Sequence, residues 1–295
     1  TESPTSLTSM VVLEGAGAGG VVVPGDGLPF LVVDADGMVR TVKCLNAVCT
    51  KYQSGASFSS RVGYVIDAPH LVANDGGFPM FVFEDRDTEE SETARFEERL
   101  PPDNRMHLIR CLDDGCTEFT DTDLGAGGGY SLGILGGDLP LISYTSFGES
   151  WDDLRDWHRS MVIGCSEPAC TEGVQTWMGG LQSARTEVLI GSDGLPVVAY
   201  GLHSGEEIGA VFCDDADCVS HERVTVVTDD AGTVLAGATM LEEGPVFAYT
   251  AGPQLYVVSC LDGRCSEVGT AMPVGSEMAY GPVRVAWRSD GTPVF

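Results

Sequence analysis

Apolar runs of four to six residues recur along the chain, each bounded by a turn of Gly, Asp or Pro, as in TEVLIGSDGLPVVAY (Thr186–Tyr200). The turn aligns six times: GDGLPFLVV from Gly25, NDGGFPMFVF from Asn74, GGDLPLISY from Gly136, SDGLPVVAY from Ser192, LEEGPVFAY from Leu241 and RSDGTPVF from Arg288. The prolines fall at 29, 79, 140, 196, 245 and 293, so the period is close to 50 residues. Short apolar runs at that period predict a β-propeller rather than a helical solenoid.

Each unit divides into four strands. Strand A is the apolar run before the turn. The Asp-Gly pair supplies the positive φ of a tight hairpin. Strand B follows the proline, which loses no ladder bond at a strand's first position. Strand C runs into a cysteine, as in MVRTVKC, MHLIRC, SMVIGC, IGAVFC and LYVVSC, and a second cysteine is expected to open strand D.

All ten cysteines fall into C-x4-C pairs: Cys44/Cys49, Cys111/Cys116, Cys165/Cys170, Cys213/Cys218 and Cys260/Cys265. A zinc site would bring two pairs together, usually at C-x2-C spacing. Isolated pairs with none left over predict five local disulfides, one at each C–D turn, and an oxidising compartment. Each closes a small loop and contributes about 2 kcal/mol by loop entropy.

The A–B hairpin occurs six times and the cysteine hairpin five times. The expected fold is therefore all-β: one propeller domain over 1–295, with six blades of four antiparallel strands, one of them incomplete. Five blades are the alternative. Residues 6–14, SLTSMVVLE, would pair with the hairpin 283–295 and close the ring, removing the open edges of the sheet. A strand from another subunit at the incomplete blade would instead drive self-assembly.

These repeats resemble the β-propeller repeats of secreted bacterial surface proteins, in which a D-G-x-P-x-x-x-Y turn is followed by a C-x4-C hairpin. The resemblance runs from Val21 onward. It implies a propeller and export to the cell exterior or cell surface, and it says little about activity, because the architecture hosts many.

Charge narrows the partners. Sixteen Lys and Arg stand against 44 Asp and Glu, for a net charge of −28. So acidic a body repels nucleic acid and anionic lipid surfaces. No apolar run approaches the roughly 18 residues needed to span a bilayer.

Function is expected on the face carrying the B–C loops, where lengths vary on a rigid scaffold. Two insertions stand out. Glu84–Arg105 reads as a short helix starting at Thr88 and ending at Pro101. Thr145–Ser160 reads as a second, with Ser150 and Asp153 at its start and Trp151, Leu154 and Trp157 on one face. Trp151, Asp153, Trp157 and His158, with His203, are the candidate ligand-binding residues. Asp34 and Asp36 in DADG, and Asp85 and Asp87 in EDRD, are candidate calcium ligands, although neither stretch is a full calcium loop.

Catalysis finds less support at this level. Propeller hydrolases project paired carboxylates into the channel, and among the A strands Glu187 is the one acid. His70 sits in a strand A and reads as a satisfied interior polar group. The sequence thus predicts a non-catalytic extracellular module that recognises a glycan or a protein. A structural subunit of a surface appendage, and a propeller hydrolase or lyase, are the alternatives.

Overall fold

The computed structural model describes residues 19–35, 38–59, 70–74, 76–86, 104–146, 159–202, 204–228, 232–274, 286–287 and 293–294. Blade 1 is β1 (Gly19–Val22), β2 (Phe30–Ala35), β3 (Met38–Cys44) and β4 (Tyr52–Ser59). Blade 2 is β5 (His70–Ala73), β6 (Pro79–Arg86), β7 (Asn104–Cys111) and β8 (Phe119–Ala126). Blade 3 is β9 (Gly128–Leu135), β10 (Leu139–Ser146), β11 (Arg159–Cys165) and the first part of β12 (Gly173–Ile190). The rest of β12 joins β13 (Pro196–Leu202), β14 (Glu207–Cys213) and β15 (His221–Thr228) as blade 4. Blade 5 is β16 (Thr233–Met240), β17 (Pro245–Ala251), β18 (Gln254–Ser259) and β19 (Met272–Pro273).

The fold is all-β, and every strand pair within the blades is antiparallel. Among the described residues five four-stranded blades are present rather than six. The last unit appears as a two-stranded ladder, β20 (Ala286–Trp287) on β21 (Pro293–Val294), with Trp287 opposite Pro293. No cysteine hairpin accompanies that ladder in the sequence. The expected closing strand, 6–14, lies outside the described residues.

Strand B sequences do not alternate, because each blade is buried on both faces. In β13, Val197 and Ala199 pack toward Leu235 and Phe247 of blade 5. Val198 and Tyr200 pack toward Leu141 and Val162 of blade 3. The same division repeats between blades 1 and 2, around Phe30, Phe58, Phe81 and Ile109. Met80, Leu108, Leu132 and Ile142 fill the space between blades 2 and 3. The inner strands neighbour one another in the order β1, β5, β9, β12, β16.

All five expected disulfides form: Cys44–Cys49, Cys111–Cys116, Cys165–Cys170, Cys213–Cys218 and Cys260–Cys265, with Cα–Cα distances of 4.7–4.9 Å. One detail of the sequence expectation is corrected. The second cysteines, Cys49, Cys116, Cys170, Cys218 and Cys265, do not open strand D. Each closes the turn instead. Strand D begins three residues later in blades 1 to 4, at Tyr52, Phe119, Gly173 and His221, and only at Met272 in blade 5. The reason is backbone geometry. A bridge across so short a loop needs the chain to reverse at its second end, and all five residues adopt a left-handed backbone with φ of 52–56°. A strand cannot start from that conformation.

The left-handed backbone is costly for a residue with a Cβ. A polar side chain two residues after the first cysteine supports it. Asn46 accepts the Thr50 N–H at 2.9 Å, Asp113 that of Thr117 at 2.7 Å, Asp215 that of Val219 at 2.9 Å and Asp262 that of Ser266 at 3.0 Å. N–H groups of Ser220 and Val219 hold the Asp215 carboxyl below the usual carboxylate range.

These turns also join the blades. The Ala56 N–H of blade 1 donates to the Cys116 carbonyl in the turn of blade 2, at 3.1 Å. The Thr122 hydroxyl of blade 2 donates to Ala169 O at 2.6 Å, and that of Thr176 in blade 3 to Asp217 O at 3.0 Å. Arg264, in the turn of blade 5, reaches Asp214 in the turn of blade 4 at 3.0 Å.

Blade 4 carries a further buried lock. Fully buried Tyr200 donates to Glu207 Oε1 at 2.5 Å and accepts from Arg223 Nε at 2.8 Å. Its ring passes over Gly209, where an added Cβ would collide with the Tyr200 hydroxyl and the Val224 carbonyl. Burial first, then the Glu207 hydrogen bond, pushes the Tyr200 hydroxyl well above its ordinary pKa.

Candidate active site in the channel

Side chains from the inner strands of blades 2, 3 and 4 meet in one cluster. His70 opens β5, Ser131 lies in β9, and Arg185 and Glu187 lie two residues apart in β12, on one face of that strand. The His70 Nε2 is 3.3 Å from Glu187 Oε1 and 3.4 Å from Ser131 Oγ. On the other side of the ring, the Leu132 N–H donates to His70 Nδ1 at 3.2 Å. That bond sets the neutral tautomer with its proton on Nε2, facing the Glu187 carboxylate.

Ser131 ties the cluster together. Its oxygen accepts the Val188 N–H at 2.8 Å, which fixes the backbone beside Glu187. Behind it, the Ser143 hydroxyl donates to Thr186 Oγ1 at 2.8 Å, and both groups are buried. The strand is therefore held from blade 3 on both sides of Glu187.

The arrangement is not a serine-nucleophile relay. That chemistry places the acid on one ring nitrogen and the serine on the other. Here Glu187 and Ser131 share Nε2, and a backbone N–H occupies Nδ1. Ser131 ties β9 to β12 through the Val188 N–H, and the titratable pair of the cluster is Glu187 with His70.

Arg185 completes the site. Its Nη2 lies 3.8 Å from Glu187 Oε2, and its Nη1 donates to Leu235 O of blade 5 at 3.4 Å. Glu187 Oε2 is buried without a hydrogen-bond partner. An imidazole at 3.3 Å and a guanidinium at 3.8 Å thus flank the two oxygens of one acid.

The structure reaches some of the sequence candidates. Asp34 stands in the β2–β3 ladder opposite Val39, and Asp85 in the β6–β7 ladder opposite Arg105, rather than in open loops. Asp36, Asp87, Trp151, Asp153, Trp157, His158 and His203 lie outside the described residues. Among the described residues no group of three or more His, Cys, Asp and Glu side chains is arranged to hold a metal ion. Ser131 and Arg185 escaped the sequence reading. Arg185 had a signal: it precedes Glu187 by two, which puts both on one face of a strand.

No family model and no curated protein matches the chain. Solved structures do. An α-L-arabinanase from Penicillium chrysogenum, complexed with arabinobiose, is 11% identical, with 98% of this chain and 92% of that chain covered and a TM-score of 0.58. A GH93 α-L-arabinofuranosidase of Fusarium graminearum, also with arabinobiose, is 10% identical over 92% of this chain and 84% of that one, with a TM-score of 0.55. A protein of unknown function from Dyadobacter fermentans is 12% identical over 84% and 73%, with a TM-score of 0.54.

At these identities the likeness establishes the fold, a propeller of the kind that glycoside hydrolases use. It overturns the expectation of a non-catalytic recognition module. That expectation rested on scanning each inner strand separately for a pair of acids. The ring instead assembles one acid with a histidine and an arginine drawn from different strands.

Proposed function

We propose that the channel is a glycan-acting active site of the hydrolase class. The Glu187 carboxylate takes a proton from a water that attacks the anomeric carbon as the glycosidic C–O bond breaks, and a second acid protonates the leaving oxygen. His70 orients the carboxylate through its Nε2–H. Arg185 balances the charge of the pair. The convergence of His70, Ser131, Glu187 and Arg185 from three successive blades carries the reading. The arabinose-directed neighbours support the choice of a glycan as substrate.

Glycoside hydrolysis commonly uses a second carboxyl on the other side of the bond. Glu84 is the buried acid to test for that role. It lies on β6 two positions beyond Val82, the register partner of His70. The five disulfides fit a protein that works outside the cytosol, in keeping with the resemblance to exported surface propellers.

The test is release of reducing sugar from arabinan, arabinobiose and a panel of other neutral and acidic plant and microbial glycans. Glu187→Gln is expected to lower kcat/KM by roughly 100-fold or more with an unchanged melting temperature. His70→Gln should move the pH profile. A wild-type protein that cleaves nothing in the panel, or a Glu187→Gln variant as active as wild type, would remove the reading.

A further inference from the structure

The residue before the first cysteine of each C–D turn is Lys43, Arg110, Gly164, Phe212 and Ser259 in blades 1 to 5. Two of them are cations, and their surroundings differ. In blade 1, Lys43 is buried and donates to Asp26 Oδ2 in the A–B turn at 2.5 Å. The described part of the A–B turn in blade 2 holds no carboxylate. Its Asn74 uses the side-chain oxygen on the Phe78 N–H, at 2.8 Å. Arg110 Nε is buried, and among the described residues it has no hydrogen-bond partner.

The residue beside it is in the same state. Arg110 of β7 stands opposite Thr120 of β8. Directly opposed residues of an antiparallel pair share a face, with Cβ atoms about 5 Å apart. Thr120 Oγ1 is also buried without a partner among the described residues, so the two atoms do not bond each other. Their face is turned toward blade 3. Met106 and Leu108 alternate with Arg110 along β7 and pack with Leu132 and Ile142. Thr122, two positions on from Thr120, reaches Ala169 O in the turn of blade 3. A buried guanidinium N–H and a buried hydroxyl thus lie side by side in the junction of blades 2 and 3.

Buried polar groups are paired as a rule, and an exception calls for a water or an ion. Both groups here can donate, and arginine has no acceptor of its own. A water would answer the hydrogen bonds and leave the guanidinium without a counter-charge. We propose that Arg110 and Thr120 hold a chloride ion between blades 2 and 3. One halide takes both donors and neutralises one guanidinium. Sulfate or phosphate would bring more oxygens than two donors serve. Each would also bring a second negative charge, which a body of −28 opposes. The proposal is independent of the glycan-acting reading.

The experiment is chloride NMR line broadening with the intact chain, in sodium chloride diluted with sodium gluconate at fixed ionic strength. Wild type should broaden the chloride line, and added bromide should reverse the broadening by competition. Arg110→Gln and Thr120→Val should each lose it. Thr120→Val keeps the charge and the shape, which guards against a variant that fails to fold. Arg264→Gln removes an exposed arginine paired with Asp214 and should broaden the line like wild type. Wild type should also melt at a higher temperature in chloride than in gluconate, and Thr120→Val should melt at the same temperature in both.

The proposal is overturned if wild type gives no broadening that bromide reverses, or if Thr120→Val broadens like wild type. It is equally overturned if wild type melts alike in the two salts, the result that a bound water predicts. Asp75, next to Asn74, lies outside the described residues. If it takes Arg110 as Asp26 takes Lys43, broadening will be absent in wild type and gained in Asp75→Asn, which overturns the proposal and assigns Arg110 to that acid.

Discussion

The cysteine turns and the channel are built by the same repeat and differ in how alike they are from blade to blade. Every C–D turn has the same disulfide and the same left-handed second cysteine, from Cys49 in blade 1 to Cys265 in blade 5. The acceptors Asn46, Asp113, Asp215 and Asp262 all hold the backbone that leads into the next strand. The channel takes something different from each blade: His70 from one, Ser131 from the next, Arg185 and Glu187 from the third. Sameness marks what every blade needs in order to stand. Difference marks the one place in the ring where an imidazole, a carboxylate and a guanidinium are brought together.

The largest stability loss is expected where a blade is locked from within. Gly209→Ala forces a methyl group into the Tyr200 hydroxyl and the Val224 carbonyl. Overpacking of this kind costs about 3 kcal/mol, and denaturant unfolding should show it without a direct effect on the channel. Next come the turns. Cys111→Ser with Cys116→Ser, and Cys213→Ser with Cys218→Ser, should each cost about 2 kcal/mol. If one pair costs nothing and another unfolds the chain, the turns are not equivalent and the comparison breaks.

A matched pair of hydroxyl deletions sharpens it further. Thr122→Val removes the bond to Ala169 O between blades 2 and 3. Ser131→Ala removes the acceptor of the Val188 N–H beside Glu187. Each should cost about 1 kcal/mol. Turnover in the glycan assay should fall for Ser131→Ala alone.

The smallest effect is a pH slope. Asp215 is held below the usual carboxylate range by the Ser220 and Val219 N–H groups, and Asp262 by the hydroxyl and N–H of Ser266. A depressed folded value means that the stability is present above the unfolded value of about 3.9 and is lost as pH falls through the folded one. Asp215→Asn keeps the acceptor, as Asn46 does in blade 1, and cannot titrate. Unfolding curves between pH 5 and 2 should fall less steeply for that variant.

The scaffold was legible in the sequence because its signals are local. A Gly-Leu-Pro turn, a run such as PVVAY and a C-x4-C pair each specify their own geometry within ten residues. The pairing of the cysteines was legible in this way, but the place of the second one was not. Cys49, Cys170 and Cys265 read as strand residues by spacing, and only the left-handed backbone assigns them to the turn. The blade count was less legible, since a hairpin such as 286–294 looks the same whether or not C and D strands accompany it. The channel was the least legible. His70 and Glu187 are 117 residues apart, and their contact depends on Ser131 of a third strand. Read singly, Glu187 was an isolated acid and His70 a buried polar group. Only ring geometry makes them a pair.

Strand β12 runs through 18 residues from the outer edge of blade 3 to the inner edge of blade 4, bending near Gly179, where φ is +63°. A chain pulled from its ends would therefore not shed its blades one at a time throughout. Peeling the rim of blade 3 draws directly on the inner strand of blade 4, with no slack loop to absorb the extension. With β8 and β9 joined by Gly127 alone, blades 2, 3 and 4 should yield as a single mechanical event, about three times the length released by blade 1 or blade 5. The tear would reach Glu187 in the same step.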